Sequence, residues 1–464
     1  MCGVIGVSRV RDASRITYLG LYALQHRGQE SAGIMAIDEV GEARIHRSMG
    51  LVNDSFGEDV LRQLPGDVAV GHTRYSTAGS TVLANAQPYL VNYHAGPLSV
   101  AHNGNLVNAR ELRNELVAQG AIFSSTSDTE VLVHLIARSQ EPTIEGQIRD
   151  ALERAEGAYS LVLSVGRTIY AVVDSRGFRP LFLGKLEEGV VVASETCALD
   201  LVGASAVREF QPGEFVRIRD GRVEDLPRLA PRRVSRCIFE LVYFSRPDST
   251  IFGVPVDKVR RELGRQLARF HPAQGADVVF SVPDSANVMA LGYSEVSGVN
   301  LENGLIRNHY VGRTFINPTQ ALRNVKVRIK FNPVRSVIDG KSVVIVDDSL
   351  VRGTTSKGLV QMIRAAGARE VHLRLGSPPI TGPCQYGIDT PTREELIAAT
   401  HSTEEIRAYL GVDSLAYLTL EQMTDAAGHH VPWCHACFSG DYPTPVQLTL
   451  GQWRHSSPLV AAAT

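Results

Sequence analysis

The chain has 464 residues, a formal net charge of −2 and 44% hydrophobic residues. This length exceeds the usual range of a single hydrophobic core, so we expect two domains. The near-neutral charge excludes a broad basic face for nucleic acid or for an anionic membrane, and no apolar run is long enough to cross a bilayer. With nothing hydrophobic ahead of Cys2, the sequence predicts a cytoplasmic protein that binds neither nucleic acid nor membrane.

The chain begins Met1-Cys2-Gly3, so an aminopeptidase that removes Met1 would leave Cys2 as the first residue. A free α-amine has a pKa of about 8 and a thiol one of about 8.5, so the amine can take the proton that creates the thiolate. This is the arrangement of an N-terminal nucleophile. On this motif alone, an ordinary cysteine at the second position remains the alternative.

Periodicity divides the chain near residue 230. Before it, short strand-like runs such as 68–70, 98–100 and 159–163 are separated by Gly, Asn and Asp turns, which predicts sheets packed on each other with some helices. The polar, proline-bearing stretch 226–233 predicts a linker. We therefore predict domains at 1–230 and 231–445, followed by a tail at 446–464.

The second half alternates strands and helices. The apolar run 343–346 precedes a helical pattern over 356–366, and Gly367 follows as a C-cap. A continuous apolar strand followed by such a helix predicts a parallel sheet that helices cover on both faces.

Polar clusters interrupt the first half beside its apolar strands, at residues 25–33, 71–77 and 101–105. A cysteine acyl transferase needs a clamp for the charged end of its substrate and donors for a tetrahedral oxyanion, and these clusters supply both. Taken singly, Arg74 also fits a surface ion pair, Asp128 a helix N-cap and Asn103-Gly104 a hairpin turn.

The motifs MCGVIGV, LQHRGQESAGI, GHTRYSTAG and AHNGNLVN, with segment 127–130, resemble class II glutamine amidotransferases over the first half. The resemblance implies an α+β N-terminal nucleophile hydrolase fold, a four-layer sandwich of two antiparallel sheets between helical layers. The roles it implies are the nucleophile for Cys2, the clamp on the glutamine α-carboxylate for Arg74, the α-ammonium ligand for Asp128, the oxyanion hole for Asn103 and Gly104, and the pocket wall for Gly28.

The run VVIVDDSLVRGTTS places Asp347 and Asp348 at the end of an apolar strand, just before a helix. Two carboxylates suit Mg²⁺ or sugar hydroxyls, and Gly, Thr and Ser at a helix N-terminus donate to phosphate. No Gly-Lys-Ser/Thr follows the strand, so this is not a Walker A loop. It resembles the signature of the α/β type I phosphoribosyltransferases, which bind 5-phosphoribosyl pyrophosphate (PRPP). This implies that the acidic pair binds ribose and Mg²⁺, that Ser285 lies near the metal, and that the 5′-phosphate binds Ser349, Gly353, Thr354, Thr355 and Ser356.

Cationic residues alternate along 323–335. Without context this pattern fits a charged edge strand. Beside a phosphoribosyl motif, it favours a lid that closes over pyrophosphate and neutralises its departing charge. Lys330 and Arg335 are the leading candidates for that role, with Arg328 next.

Cys237, Cys384, Cys434 and Cys437 supply four thiolates, of which the last two form a C-x-x-C. Four cysteines suit structural Zn²⁺ or an iron–sulfur cluster, and their spacing does not separate the two. An isolated C-x-x-C also fits a redox site. The flanking residues resemble the iron–sulfur branch of the amidophosphoribosyltransferase family, which implies a [4Fe–4S] cluster that is structural or oxygen-sensing and far from the chemistry. Cluster-bearing members often begin with a propeptide, whereas here Met1 alone precedes Cys2.

The order of the two halves, together with the motifs YFSRPDS and YVGRTF in the second half, resembles that family over nearly the full length. The resemblance implies that ammonia released from glutamine crosses an internal channel and displaces pyrophosphate from PRPP, giving 5-phosphoribosylamine in the first step of purine synthesis. It also implies a homotetramer inhibited by purine nucleotides. Two alternatives are a hexosamine-forming transferase, which would lack the acidic pair, and a PRPP-binding regulator, which would carry a DNA-binding helix-turn-helix instead of the Cys2 half.

Overall fold

Two stacked antiparallel sheets form the first half of the chain in a computed structural model, which describes residues 1–75, 80–308, 329–429 and 431–445. In spatial order, the strands of the seven-stranded sheet are Ser205–Glu209, Phe182–Leu186, Gly189–Ala193, Gly3–Ser8, Val68–Arg74, Ser31–Ile37 and Ala43–Met49. Those of the six-stranded sheet are Arg222–Leu226, Phe215–Arg219, Thr168–Val173, Gly157–Val165, Gly96–Leu106 and Tyr89–Tyr93.

Alternation along each strand builds the layers of this half. Val4 packs with Val162 in the core between the sheets, whereas the next residue, Ile5, packs with Leu21 on the outer face. Helices Ala13–Ala23 and Thr196–Val202 cover the seven-stranded sheet, and helices Ala109–Ala118, Thr129–Arg138 and Ile144–Arg154 cover the other. The predicted four-layer α+β sandwich is therefore confirmed.

A five-stranded parallel sheet forms the core of the second half, in the order Asn300–Leu301, Val278–Ser281, Ser342–Asp347, Glu370–Leu375 and Ser414–Tyr417. Val344 faces helices Val256–Phe270, Asn287–Ser297 and Leu420–Ala427, whereas Val343 faces helices Thr354–Ala365 and Thr403–Leu410. The predicted doubly covered sheet is confirmed.

Shorter elements complete the described chain. Helical turns lie at Gln25–Arg27, Val52–Ser55, Glu58–Arg62, Leu83–Asn85, Glu240–Phe244, Arg335–Ile338, Arg393–Glu395, Ile397–Thr400 and Ala436–Ser439. Two-strand ladders pair Arg236–Cys237 with Trp433–Cys434, Thr250–Ile251 with Val254–Pro255, and Leu305–Arg307 with Phe331–Pro333. Over the described ranges, no helix combines the length and apolarity needed to cross a membrane.

The predicted helix after the acidic pair begins at Thr354 rather than at residue 356. Gly353 has a φ of 74°, a left-handed conformation that turns the chain into the helix directly. Gly367 follows the helix with a φ of 102°, and its N–H donates to the carbonyl of Arg364 at 3.0 Å. This confirms the predicted glycine cap.

Buried ion pairs join the first half to the segment that follows residue 235. Arg27 donates to Glu195 at 2.5 Å and to Glu240 at 2.9 Å, and Arg179 lies 3.3 Å from Glu240. None of these four side chains is exposed. Burial alone would raise the pKa of Glu240, but Arg27 and Arg179 outweigh it and hold that pKa below its usual range. The two halves therefore share a charged, desolvated interface.

Candidate active site

Cys2 lies where the two sheets of the first half meet. Its backbone N–H donates to Oδ1 of Asn103 in the opposite sheet at 3.1 Å, and its thiol lies 3.7 Å from the carbonyl oxygen of Tyr75. The side chain is 5% exposed. The pairing of Gly3 with Thr73 brings the nucleophile beside Arg74, as the sequence predicts.

The α-amine of this region is desolvated. Met1 is fully buried, and this burial lowers the pKa of its amine to about 5, an effect that Cys2 opposes and Arg179 strengthens. An amine with that pKa is neutral at pH 7, which is the form that accepts a proton from a thiol. This desolvation is that of the amine of Met1, the residue next to Cys2.

Asn103 and Gly104 lie inside the strand Gly96–Leu106, paired with Ser160 and Tyr159, so the hairpin-turn alternative is wrong. Asn103 is fully buried, and its Nδ2 has no hydrogen-bond partner among the described residues. An unsatisfied buried donor costs about 1–3 kcal/mol, which an incoming acceptor would relieve. A Cβ on Gly104 would meet the carbonyl oxygen of Ala158 at 1.9 Å, so this position admits glycine alone.

Arg74 is 3% exposed and forms an ion pair with Glu30, which immediately precedes the neighbouring strand Ser31–Ile37, so the surface ion pair considered from the sequence is in fact buried. Gly28 packs directly on it, since a Cβ there would lie 2.5 Å from the carbonyl carbon of Arg74. Sequence reasoning missed Glu30. Its place in the same polar cluster as Gly28 was the available signal.

Asp128 occupies the N-cap position of helix Thr129–Arg138, as the alternative has it, but its side chain makes no capping hydrogen bond. Its carboxylate instead accepts the N–H of Leu106 at 2.9 Å and lies 3.7 Å from Nδ1 of His102. This ties Asp128 to the strand that carries Asn103.

Asp347 and Asp348 lie at the carboxyl end of the central parallel strand. Ser349 donates to Asp348 at 2.6 Å, and the Ser285 hydroxyl donates to its other oxygen. Burial raises the pKa of Asp347 well above its usual range, the charge of Asp348 adds to this, and Lys330 opposes it. The structure thus brings the Ser285 hydroxyl to Asp348, while the charge of Lys330 acts on Asp347. Two buried carboxylates side by side would bind a cation.

The N-terminus of helix Thr354–Ala365 opens next to this pair. Thr354 and Thr355 are exposed, Ser356 is half-buried, and no side chain caps the described helix end. Free N–H groups and hydroxyls in this arrangement suit a phosphate.

The predicted lid is described only in part. Lys330 lies over the ring of Phe331 at 5.0 Å, and Arg335 begins an exposed helical turn. The contacts of the described residues do not bring Arg335 to the acidic pair. Arg328 lies outside the described residues.

The four predicted cluster cysteines line one cavity, together with Phe178, Tyr386 and Tyr442. Cys237 and Cys434 face each other on parallel strands. Burial raises the pKa of Cys437, and the charges of the other three cysteines raise it further. Three segments that are distant in sequence therefore bring their thiols to one cavity.

No three metal-ligating side chains gather as a site for a single ion within the described ranges. Sulfurs bound to one tetrahedral Zn²⁺ at about 2.3 Å would lie about 3.8 Å from each other. Four thiols that line one cavity are the donor set that an iron–sulfur cluster uses, in which each cysteine binds a different iron.

The segment that follows Cys384 packs on the strand that carries Asn103 and Gly104. The side-chain amide of Asn105 donates to the carbonyl of Gln385 at 2.8 Å, and a Cβ on Gly387 would lie 2.9 Å from the carbonyl carbon of Gly104. The chain that follows Cys384 thus packs on the predicted oxyanion residue.

A sheet sandwich with a desolvated cysteine, joined to a parallel sheet with an acidic strand end, defines a glutamine amidotransferase fused to a phosphoribosyltransferase-like domain. Residues 72–201 match the model of a glutamine amidotransferase domain. Amidophosphoribosyltransferases from Bacillus subtilis and Archaeoglobus fulgidus are each 48% identical to this chain over 96% of its length, covering 94% and 98% of those proteins. The chain belongs to the amidophosphoribosyltransferase family.

Solved structures agree with this assignment. The glutamine PRPP amidotransferase from B. subtilis, complexed with ADP and GMP, superposes with a TM-score of 0.90 at 47% identity, covering 97% of this chain and 98% of that one. A structure described as the allosteric regulatory enzyme of purine biosynthesis gives a TM-score of 0.91 at the same identity, covering 97% of each chain. The chain is thus a glutamine-dependent pentosyltransferase of purine biosynthesis.

Proposed function

We propose that Cys2 hydrolyses glutamine and that the ammonia crosses an internal channel to displace pyrophosphate from PRPP at Asp347 and Asp348. The product is 5-phosphoribosylamine, and this is the first step of de novo purine (IMP) synthesis. One observation carries the proposal. The buried Nδ2 of Asn103 has no partner within the described chain, although the same side chain binds the nucleophile residue through Oδ1.

In the first half, the free α-amine of Cys2 takes the thiol proton and the thiolate attacks the glutamine amide. Charge then develops on the amide oxygen, where Asn103 Nδ2 and the Gly104 N–H donate to it. Arg74 binds the α-carboxylate through its planar fork, oriented by Glu30. Asp128 binds the α-ammonium, and Gly28 forms the pocket wall. The proton returns to the leaving nitrogen, and water releases glutamate.

In the second half, Asp347 and Asp348 bind the ribose hydroxyls, and the loop and helix N-terminus at 349–356 bind the 5′-phosphate. Lys330 lowers the pKa of Asp347, so its charge already acts at this site. We assign to Lys330 and Arg335 the neutralisation of pyrophosphate as it leaves.

The acidic pair fits Mg²⁺, because burial disfavours both carboxylates as anions and a cation would compensate them. Asp347, Asp348 and the Ser285 hydroxyl would hold it. When bound, the ion supplies charge neutralisation for pyrophosphate. The second implied cofactor, a [4Fe–4S] cluster, fits the cavity that Cys237, Cys384, Cys434 and Cys437 line. When bound, it supplies a crosslink among those segments.

The remaining assignments follow from the family. The division at 1–230, 231–445 and 446–464 is supported by strand Arg222–Leu226, after which the next strand begins at Arg236. Purine nucleotide inhibition is supported by the related B. subtilis structure, which holds ADP and GMP. A homotetramer and a cytoplasmic location stay predictions.

The test measures glutamate and pyrophosphate release by anaerobically purified protein, with and without PRPP and Mg²⁺. We expect equal amounts of both products, dependent on all substrates. Cys2→Ala should abolish glutamine use and keep transfer from added ammonia, whereas Cys197→Ala, a buried cysteine on helix Thr196–Val202, should keep both. Glutamine use by the Cys2→Ala variant, or glutamate release without pyrophosphate, would contradict the proposal.

A further inference from the structure

The segment 384–387 forms a wall against the strand that carries the oxyanion residues. We propose that Gly387 is a positioning residue for glutamine hydrolysis, because it packs on the Cα and carbonyl of Gly104 and so fixes where the N–H of that residue meets the oxyanion. The inference rests on the proposed function, since it assumes that Gly104 donates to that oxyanion.

Gly104 is clamped from two sides. On one side, the carbonyl oxygen of Ala158 lies 1.9 Å from the position of a Cβ on Gly104. On the other side, a Cβ on Gly387 would lie 2.9 Å from the carbonyl carbon and oxygen of Gly104 and 3.2 Å from its Cα. The nearest atoms are all backbone atoms of one residue, so no flexible side chain can move aside. Any displacement of Gly387 toward the strand moves Gly104 itself.

Hydrogen bonds fix the wall against the first half. The amide of Asn105 donates to the carbonyl of Gln385 at 2.8 Å, and Arg179 donates to the carbonyl of Tyr386 through Nε at 3.2 Å and Nη2 at 2.5 Å. Phe178 stacks on the Tyr386 ring with centroids 4.2 Å apart. The carbonyls of Gln385 and Tyr386, the two residues before Gly387, are therefore hydrogen-bonded to the first half.

The same segment begins at the thiol cavity. The backbone N–H of Tyr386 donates to Sγ of Cys384 at 3.3 Å, and both residues line that cavity. A change in the packing of the cavity therefore reaches Gly387 within three residues of chain. The geometry links the thiols to the oxyanion hole without passing through the PRPP site.

The first test is Gly387→Ala. Gly387 has a φ of 104°, so the added methyl strains the backbone and also presses on Gly104. Loss of one oxyanion donor costs about 10²–10³-fold in rate, so we expect at least a tenfold fall in the kcat of glutamine hydrolysis. The KM for glutamine and the inhibition constant of glutamate should change by less than about twofold, because the clamp on the amino acid end is untouched. Ammonia-dependent transfer should be unchanged.

The matched control is Gly298→Ala, which substitutes another glycine at positive φ (72°) with no atom within 4 Å of the new Cβ. It imposes similar backbone strain without the contact and should keep wild-type glutamine kcat. If Gly387→Ala fails to fold, Asn105→Ala removes only the tie to Gln385 and should lower kcat in the same selective way, by a smaller factor.

The outcomes separate the inference from the proposed function. Wild-type glutamine kcat in soluble Gly387→Ala and Asn105→Ala overturns the inference, as does an equal loss of glutamine-dependent and ammonia-dependent turnover. If Cys2→Ala still uses glutamine, the proposed function fails whatever Gly387→Ala does. A selective fall in kcat, with Gly298→Ala unchanged, supports the inference.

Discussion

Replacing Asn103 with Asp isolates the donor that the proposed oxyanion hole depends on. The two side chains have the same shape, and the aspartate keeps an oxygen at Oδ1, where Cys2 N–H donates at 3.1 Å. Only Nδ2 is lost, the atom with no partner in the described part of the chain. The substitution therefore leaves the anchor of the nucleophile in place and removes one hydrogen bond to the transition state.

Its magnitude follows from burial. Asn103 is fully buried, so water cannot replace the missing donor. One donor in such a site is worth about 3 to 4 kcal/mol, or about 10²–10³-fold in kcat. The new carboxylate also lies next to the Cys2 nitrogen, where its charge would raise the pKa of the mature α-amine. The loss should therefore shrink as pH rises and the amine becomes neutral.

The assay compares glutamine-dependent and ammonia-dependent pyrophosphate release from pH 6 to 9. We expect the first to fall at least about 10²-fold at pH 7 and the second to stay within about twofold of wild type. Asn103→Ala should lose at least as much, since it also removes the acceptor for Cys2. A glutamine kcat within about threefold of wild type for Asn103→Asp would refute the assignment.

Three further predictions concern charge. Asp347→Asn combined with Asp348→Asn should abolish PRPP-dependent pyrophosphate release, and unchanged turnover would rule out the assignment of PRPP binding to the acidic pair. Glu240→Ala leaves buried guanidinium groups without that carboxylate and should lower the free energy of unfolding by about 3 to 5 kcal/mol in urea titrations. Glu404→Ala breaks an exposed helical ion pair and should lower that free energy far less. Burial raises the pKa of Glu209 to about 7, so the folded state holds this proton more tightly than the unfolded chain does. Wild-type stability should fall relative to Glu209→Gln as pH rises from about 5 to 8, by up to about 3 kcal/mol, and parallel pH profiles would contradict this.

Local patterns predicted much of the fold because they act over a few residues. The run 343–346 lies inside strand Ser342–Asp347, and 98–100 lies inside Gly96–Leu106. The motif residues Cys2 and Asn103 meet as expected because the two sheets stack and bring their strands face to face. Period and turn chemistry are local properties, so a single sequence contains them.

The charged interface between the halves could not be predicted from such local patterns. Arg27 and Glu240 are separated by 213 positions, and neither periodicity nor hydropathy marks a fully buried arginine. The contact of Gly387 with Gly104 was equally hard to predict, since it depends on how the two halves of the chain pack against each other. Family motifs predicted Cys384 as a thiol ligand, but they did not predict which residues of the first half its neighbours contact.

The shared interface also bears on how such an enzyme can be rebuilt. A glutaminase half cut at residue 230 would leave Arg27 and Arg179 without Glu240, and Gly104 without the wall that Gly387 supplies. A fusion of this half to another ammonia-using domain would therefore also need the two segments that contact it, the turn Glu240–Phe244 and the segment 384–387. The two halves follow each other along the chain, yet neither can be exchanged alone without losing these contacts.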